Sequence, residues 1–399
     1  MTDNIDKKCI LPWISVEATS MGTTRPCCLY TEEIPDIDFK KHTLEDAFNS
    51  KTMRDLRRSF RRGEKPSGCE RCWIEEDAGK KSKREYMLRK FRHLNVEYKD
   101  NNGEELVFLD LKLGNICNLK CRICGTWSSS KWGQEELDYY NPESKVSNGH
   151  NEIKEWLKAG RWPRESKQFW ENLDKLLPQI KYFEFTGGEP FLIQEHFDLL
   201  KRAVEKGVSK NIDIHYNTNT TTFPKDYEIW KHFKHVQIAF SVDNTEERFE
   251  YERYGASWSE ANINIGKVRE LMIDHKYPIS TQLCCTWNIQ NIYYLDELLT
   301  WADPLFEDIH FNLMHDPWQF SLSRTPRSAK SQLMLYLQKQ QIKHRKYAKD
   351  IDSLKKIVVN SDQEDPDELH NKLRRTDLYR NQNFAISHSK IAKAIGYEL

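Results

Sequence analysis

Cys117, Cys121 and Cys124 stand in the run CNLKCRIC, a C-x3-C-x2-C triplet. Three thiolates at this spacing hold three irons of a 4Fe-4S cubane and leave the fourth iron without a protein ligand. A cluster on four cysteines carries electrons, whereas one on three also accepts a chelating ligand at its open iron. A zinc knuckle competes with this reading, but zinc sites pair two C-x2-C halves or add histidines, and nothing near residues 117–124 supplies a fourth ligand. Farther on, Gly187, Gly188, Glu189 and Pro190 form a GGEP run. Its two glycines let backbone approach a ligand closely, and its glutamate adds an acceptor.

Five more cysteines precede the triplet: Cys9 in CILPW, Cys27 and Cys28 in RPCC, and Cys69 and Cys72 in GCERC. Four thiolates from this set suit an iron-sulfur cluster or tetrahedral zinc equally well. Cys284 and Cys285 are adjacent in a β-branched run, so their side chains point to opposite faces of a strand and read as small buried hydrophobes.

The elements that must carry these groups alternate in type. Strand patterns fall at 106–115, 180–186, 211–217, 235–243, 278–287 and 306–314, with helical patterns near 127–140, 165–177, 195–206, 258–275 and 291–302. Alternation of this kind predicts βα units and a parallel sheet. The triplet leaves the C-terminal end of the first strand and GGEP leaves that of the second, the end where (β/α) barrels do chemistry. The expected fold is α/β. It comprises a cysteine-rich domain over 1–100, a partial (β/α)6 TIM barrel over 105–315, and a helical C-terminal extension over 316–399 that covers the barrel. His215 and His310 lie on predicted strands, where a lone histidine reads as a satisfied core residue. The barrel's open side and the polar insertion at 141–163 are where specificity is expected.

Three ordered cysteines and GGEP, each following a strand, resemble the radical S-adenosylmethionine (radical SAM) superfamily, whose core is a partial barrel of this type. The resemblance implies a 4Fe-4S cluster on Cys117, Cys121 and Cys124, with SAM chelating its open iron. It also implies that the backbone of Gly187, Gly188 and Pro190, together with Glu189, receives the methionine amino group. Ile123 falls where the family places an apolar residue, often aromatic, beside the adenine. Asn217, Asn219, Ser241, Asp243 and Asn312 close predicted strands at positions that meet ribose, carboxylate and adenine edge in the family, although Ser, Asn and Asp also favour turns and caps. Arg253 suits the methionine carboxylate or a structural salt bridge.

Cys9, Gly22 and Cys27 read C-x12-G-x4-C, and Cys69 and Cys72 continue with C-x2-C. This is similar to the SPASM and twitch auxiliary-cluster domains of radical SAM enzymes, here placed before the barrel as in a permutation. Residues 73–116 contain no cysteine, so one second 4Fe-4S cluster on Cys9, Cys27, Cys69 and Cys72 is implied, and the G-x4-C count favours Cys27 over Cys28. The resemblance implies cleavage of SAM to a 5'-deoxyadenosyl radical and hydrogen abstraction, with the auxiliary cluster relaying an electron for net oxidation or modification of a small-molecule or peptide substrate. A reductase such as flavodoxin or ferredoxin is the implied electron donor. A non-catalytic metal-binding redox sensor or interaction protein is the alternative.

Charged residues make up 31% and aromatics 12%, which fits a globular chain rather than a disordered one. No apolar run approaches a membrane span. MTDNIDKKCI lacks the apolar core of a signal peptide, so a reducing cytoplasm is expected, with clusters rather than disulfides. The formal net charge is zero, which argues against nucleic-acid binding. Residues 51–100 hold sixteen Lys/Arg against nine Asp/Glu, and 321–349 hold eight against none. Both stretches read first as solvated helix faces and second as contacts for an acidic partner.

Overall fold

Among the described residues ten strands form, the longer ones from runs whose alternate residues are apolar: β1 (Ser15–Ala18), β2 (Thr24–Arg25), β3 (Phe108–Leu111), β4 (Lys120–Cys121), β5 (Tyr182–Phe185), β6 (Asp213–Thr218), β7 (His235–Ser241), β8 (Arg253–Tyr254), β9 (Ile279–Trp287) and β10 (Asp308–Leu313). The structure is a computed structural model and describes residues 7–99, 103, 105–139, 147–361 and 366–397. Residues 141–146 of the polar insertion and 362–365 of the acidic C-terminal linker lie outside the described residues.

Strands β3, β5, β6, β7, β9 and β10 pair in parallel, in that order, as the six-stranded partial barrel. The sheet then continues into the N-terminal segment. Strand β1 pairs in parallel with β3, and β2 closes the edge antiparallel to β1. Residues 15–25 thus share a sheet with the barrel. Strands β4 and β8 form a separate antiparallel pair that ties the cysteine loop to the chain after β7.

The alternation sorts the two faces. Val16, Leu109, Leu111, Phe183, Phe185, Ile214, Tyr216, Val236, Ile238, Leu283, Cys285, Trp287, Ile309 and Phe311 are buried toward the helices in one continuous core. Burying a side chain of this size stabilises by about 1.5–3 kcal/mol, and this face carries the fold. The opposite face is polar, which explains why these parallel strands do not read as unbroken apolar runs.

Helices Gln194–Glu205, Trp258–Ile273 and Leu295–Ala302 occupy crossovers. The link from β6 to β7 is long enough for a helix but holds only the 3-10 segment Tyr227–His232. Pro224 and the run of three threonines before Phe223 disfavour the α conformation there. Helices Arg327–Lys343, Ala348–Val359, Asp367–Arg380 and Ser389–Ile395 form the C-terminal extension.

At the other end, Cys9, Leu11, Trp13, Phe60, Trp73 and Phe91 pack against Phe108 and Tyr182, the first residues of β3 and β5. The N-terminal segment therefore plugs the N-terminal mouth of the barrel, while the cysteine triplet follows the C-terminal ends of the strands.

Candidate radical SAM and auxiliary cluster sites

The triplet lies on the loop after β3. Cys121 is buried, and Cys117 and Cys124 are partly so. A hydrogen bond from Cys124 and the guanidinium of Arg253 bring the Cys121 thiol down against the push of burial, while burial and then Cys121 raise Cys117. The three sulfurs therefore sit within electrostatic reach of one another. Leu119 N and Asn219 Nδ2 approach Cys117 Sγ at 3.5 and 3.7 Å, and Arg253 Nη1 lies 3.9 Å from Cys121 Sγ. Such donors stabilise thiolates.

GGEP closes against this loop. Glu189 N donates to Ile116 O at 2.8 Å. Gly187 and Gly188 have φ of +70° and +56°, and a Cβ on Gly188 would overlap Ile116 O. Glycine is required here by both conformation and contact. The Glu189 carboxylate holds the loop to its neighbours. It is fully buried and accepts from Phe191 N (3.1 Å), Thr218 Oγ1 (2.9 Å) and Asn219 N (2.7 Å). These three bonds fix the ends of β5 and β6, and the backbone carbonyls of the loop are further acceptors for a ligand. Burial raises this carboxyl to about 7.

Arg253 takes the structural alternative. Its Nη2 pairs with Asp243 Oδ2 at 2.5 Å, both groups buried, and Asp243 Oδ1 accepts from Thr286 N at 2.7 Å. Arg253 Nε is buried without a partner, a donor that a ligand beside the triplet would satisfy. Asn219 is held by Asn118 and Thr221, Asn217 Nδ2 lies 3.3 Å from His215 Nε2, and Asn312 Nδ2 donates to Thr286 Oγ1 at 3.3 Å. Ser241 ends β7 opposite Cys284. Ile123 packs half-buried on the core beside the triplet. Pro190 starts a buried 3-10 turn.

Cys9, Cys27, Cys69 and Cys72 line one pocket with Leu11, Leu29, Tyr30, Phe60, Lys83 and Arg84. Burial raises each thiol, and Cys27, Cys69 and Cys72 add to the rise at Cys9. Four thiols crowded in an apolar pocket are costly as thiols and suited to binding a cluster as thiolates. The donor set and its burial fit that group. Cys28 points away from this pocket, into the barrel.

The barrel's interior carries a row that pattern reading missed. Register aligns Glu17, Asp110, Glu184, His215 and Gln237 across β1, β3, β5, β6 and β7. Lys83 reaches into it. Its Nζ lies 2.8 and 2.9 Å from the two Glu184 oxygens, 2.9 Å from Cys28 Sγ and 3.5 Å from Asp110 Oδ2. Lys112 pairs with Glu17. His215 Nδ1 lies 2.9 Å from Gln237 Oε1, so His215 is a member of this row rather than an apolar-core histidine. His310 and Cys284 share the polar face two rows farther along, in register with Ser241. The signal was present in FLDL and YFEF, where one acid interrupts an otherwise apolar strand, but only strand register brings the acids together.

The C-terminal extension grips the cysteine loop from behind. Arg122, between Cys121 and Ile123, pairs with Asp377 at 2.5 Å, the side chains being 1% and 0% exposed. Arg122 Nη2 also donates to Gln382 Oε1 at 2.9 Å, and its guanidinium lies 3.7 Å from the centre of the Tyr251 ring. Arg380 and Lys120 both pair with Glu135.

Residues 111–299 match the model of the radical SAM superfamily, and residues 9–73 match the SPASM iron-sulfur cluster-binding domain. The chain thus carries a region similar to the radical SAM superfamily and, before it, one similar to the SPASM iron-sulfur cluster-binding domain. Among solved structures it resembles anSMEcpe with bound AdoMet, at 17% identity over 61% of each chain and a TM-score of 0.40. It also resembles Streptococcus suis SuiB bound to precursor peptide SuiA, at 12% identity over 65% of this chain and 50% of that one, with a TM-score of 0.37. The matched regions thus span about three-fifths and one half of those proteins' lengths. A comparison with curated proteins finds no match. Among the described residues, no helix is long and apolar enough to cross a membrane.

Proposed function

We propose that this chain is a radical SAM enzyme that abstracts hydrogen from a substrate held inside the barrel and oxidises it. The observation that carries this reading is the position of two cysteine sites at opposite ends of the barrel's polar inner face. The triplet lies past the C-terminal ends of the strands and the four-cysteine pocket lies at their N-terminal ends. In this reading Cys117, Cys121 and Cys124 hold a 4Fe-4S cluster which, with SAM, supplies a 5'-deoxyadenosyl radical. Cys9, Cys27, Cys69 and Cys72 hold the auxiliary one.

The chain's own residues do the rest. The Gly187–Gly188 backbone approaches the ligand, and Glu189 and Asn219 fix that loop against the triplet. The apolar helix-facing core excludes water. A substrate carbon that has lost hydrogen gives up one further electron and one proton on oxidation. Glu184 and His215 face the cavity as proton acceptors, and the four-cysteine pocket lies where an electron acceptor is needed. The substrate is a small molecule or a peptide that reaches the polar row from the barrel's open side.

The test is anaerobic incubation of reconstituted protein with reductant and SAM. Formation of 5'-deoxyadenosine by the wild type and its loss in a Cys117/Cys121/Cys124→Ala variant are expected. No 5'-deoxyadenosine from protein with its iron in place would overturn the reading.

A further inference from the structure

Lys83 belongs to two sites at once. Its side chain lines the four-cysteine pocket, and its ammonium is bonded inside the barrel row to Cys28 and to both oxygens of Glu184. An ammonium has three N–H donors, and these three contacts use them all, so its position is fixed. Glu184 faces it directly, Asp110 lies 3.5 Å away, and Glu17 beyond is paired with Lys112. Cys27, a pocket cysteine, and Cys28, a barrel cysteine, are consecutive residues, so the two sites are separated by about one peptide unit. The Asp110 carboxylate is 2% exposed, and neither of its oxygens has a hydrogen-bond donor. The row therefore has capacity for a donor that the protein does not supply.

We propose that Lys83 couples the barrel cavity to the auxiliary site, so that the charge on Glu184 sets the reduction potential of the cluster held by Cys9, Cys27, Cys69 and Cys72. This rests on the reading of those cysteines as redox-cluster ligands. A reduced cluster carries one more negative charge than an oxidised one, so a fixed cation beside it favours reduction and an anion opposes it. In a buried site salt does little to screen either effect. At present Glu184 offsets most of the Lys83 charge. A substrate group that donates to Glu184 or places positive charge on the row weakens that offset, and the cluster then accepts an electron more readily. By linkage, reduction of the cluster tightens binding of the same group. The electron acceptor becomes competent when the cavity is occupied, which protects an empty enzyme from idle reduction.

The test uses the full chain with both clusters reconstituted, followed by redox titration with electron paramagnetic resonance. Iron, sulfide and zinc are measured first, and zinc in the N-terminal site would refute the underlying assignment. With iron-sulfur there, Lys83→Met is expected to lower the reduced-to-oxidised ratio of the auxiliary cluster at fixed potential by tenfold or more, equal to 59 mV for one electron. Glu184→Gln is expected to raise it by a similar factor, and Lys83→Arg to stay within threefold of wild type. The radical SAM cluster should not move in any of them. Opposite signs are the discriminating result, because loosened structure would move both variants the same way. If Lys83→Met retains no auxiliary iron, the rise in Glu184→Gln decides alone. Two unmoved variants, two shifts of one sign, or equal shifts at both clusters would overturn the coupling while leaving the assignment of the cysteines intact.

Discussion

Replacing Asp377 with alanine should loosen the cysteine loop from a distance of more than 250 residues in sequence. The Asp377 carboxylate accepts from Arg122 Nη2 at 2.5 Å, Tyr251 Oη at 2.7 Å and Phe384 N at 2.7 Å. Arg122 is 1% exposed, and its Nη1 already lacks a partner. Truncating Asp377 leaves that cation buried without its counter-charge, a change that costs about 3–5 kcal/mol. Asp377→Asn keeps an oxygen for Arg122 and Tyr251 but turns an amide donor toward Phe384 N, and should cost about half as much. Hydrogen exchange reads the effect locally. At about 1.4 kcal/mol per decade, peptides spanning 119–123 and 376–386 should exchange roughly 100-fold faster or more in Asp377→Ala. Iron bound by the triplet should pass to a chelator faster, while iron in the N-terminal pocket should not. Exchange within threefold of wild type in both segments, with iron release unchanged, would refute the view that the C-terminal extension clamps the loop.

Cys72→Ser should lose the auxiliary iron, roughly four atoms for a cubane, whereas Cys28→Ser should keep it, because Cys28 faces Lys83 rather than the pocket; iron and sulfide assays compare them. Gly188→Ala should abolish SAM binding by equilibrium dialysis, since its φ of +56° and the overlap of a Cβ with Ile116 O force the loop away from the triplet. Burial raises the Glu252 carboxyl to about 7, above its unfolded value near 4.3. The folded state therefore holds a proton that the unfolded state has released between these values, and the group's contribution to stability falls as pH rises from about 4.3 to 7. Glu252→Gln removes that dependence, so its stability relative to wild type should improve between pH 5 and pH 8 by on the order of 3 kcal/mol. Urea unfolding at the two pH values measures the difference.

The six barrel strands were legible because each alternates an apolar, helix-facing residue with a polar one between clear boundaries. Strand β1 was not, because SVEA is too short for a period and Glu17 reads as exposed, whereas it is fully buried against Lys112. The three- and four-cysteine groups were visible as spacing. The row of Asp110, Glu184 and His215 was not, since each residue is solitary in its own strand and meets the others only through register. Glu189 and Arg253 show a further limit. Residue type marked both as polar groups of the site, but that protein donors engage the Glu189 oxygens and that Asp243 engages Arg253 Nη2 while leaving its Nε unpartnered has no signature in the sequence. The grip of Asp377 on Arg122 spans most of the chain and has no local signature.

The pairing of β1 with β3 joins the N-terminal segment to the barrel through a shared sheet. A fragment beginning at the barrel would bare the N–H and C=O groups along the outer edge of β3, a long-lived template for association with other chains. It would also uncover Phe108 and Tyr182 at the barrel mouth. The N-terminal segment emerges first in synthesis, yet its strand must wait about ninety residues for its partner, so barrel closure depends on a long-range contact, the slow kind. A module of this type cannot be transplanted by cutting a linker.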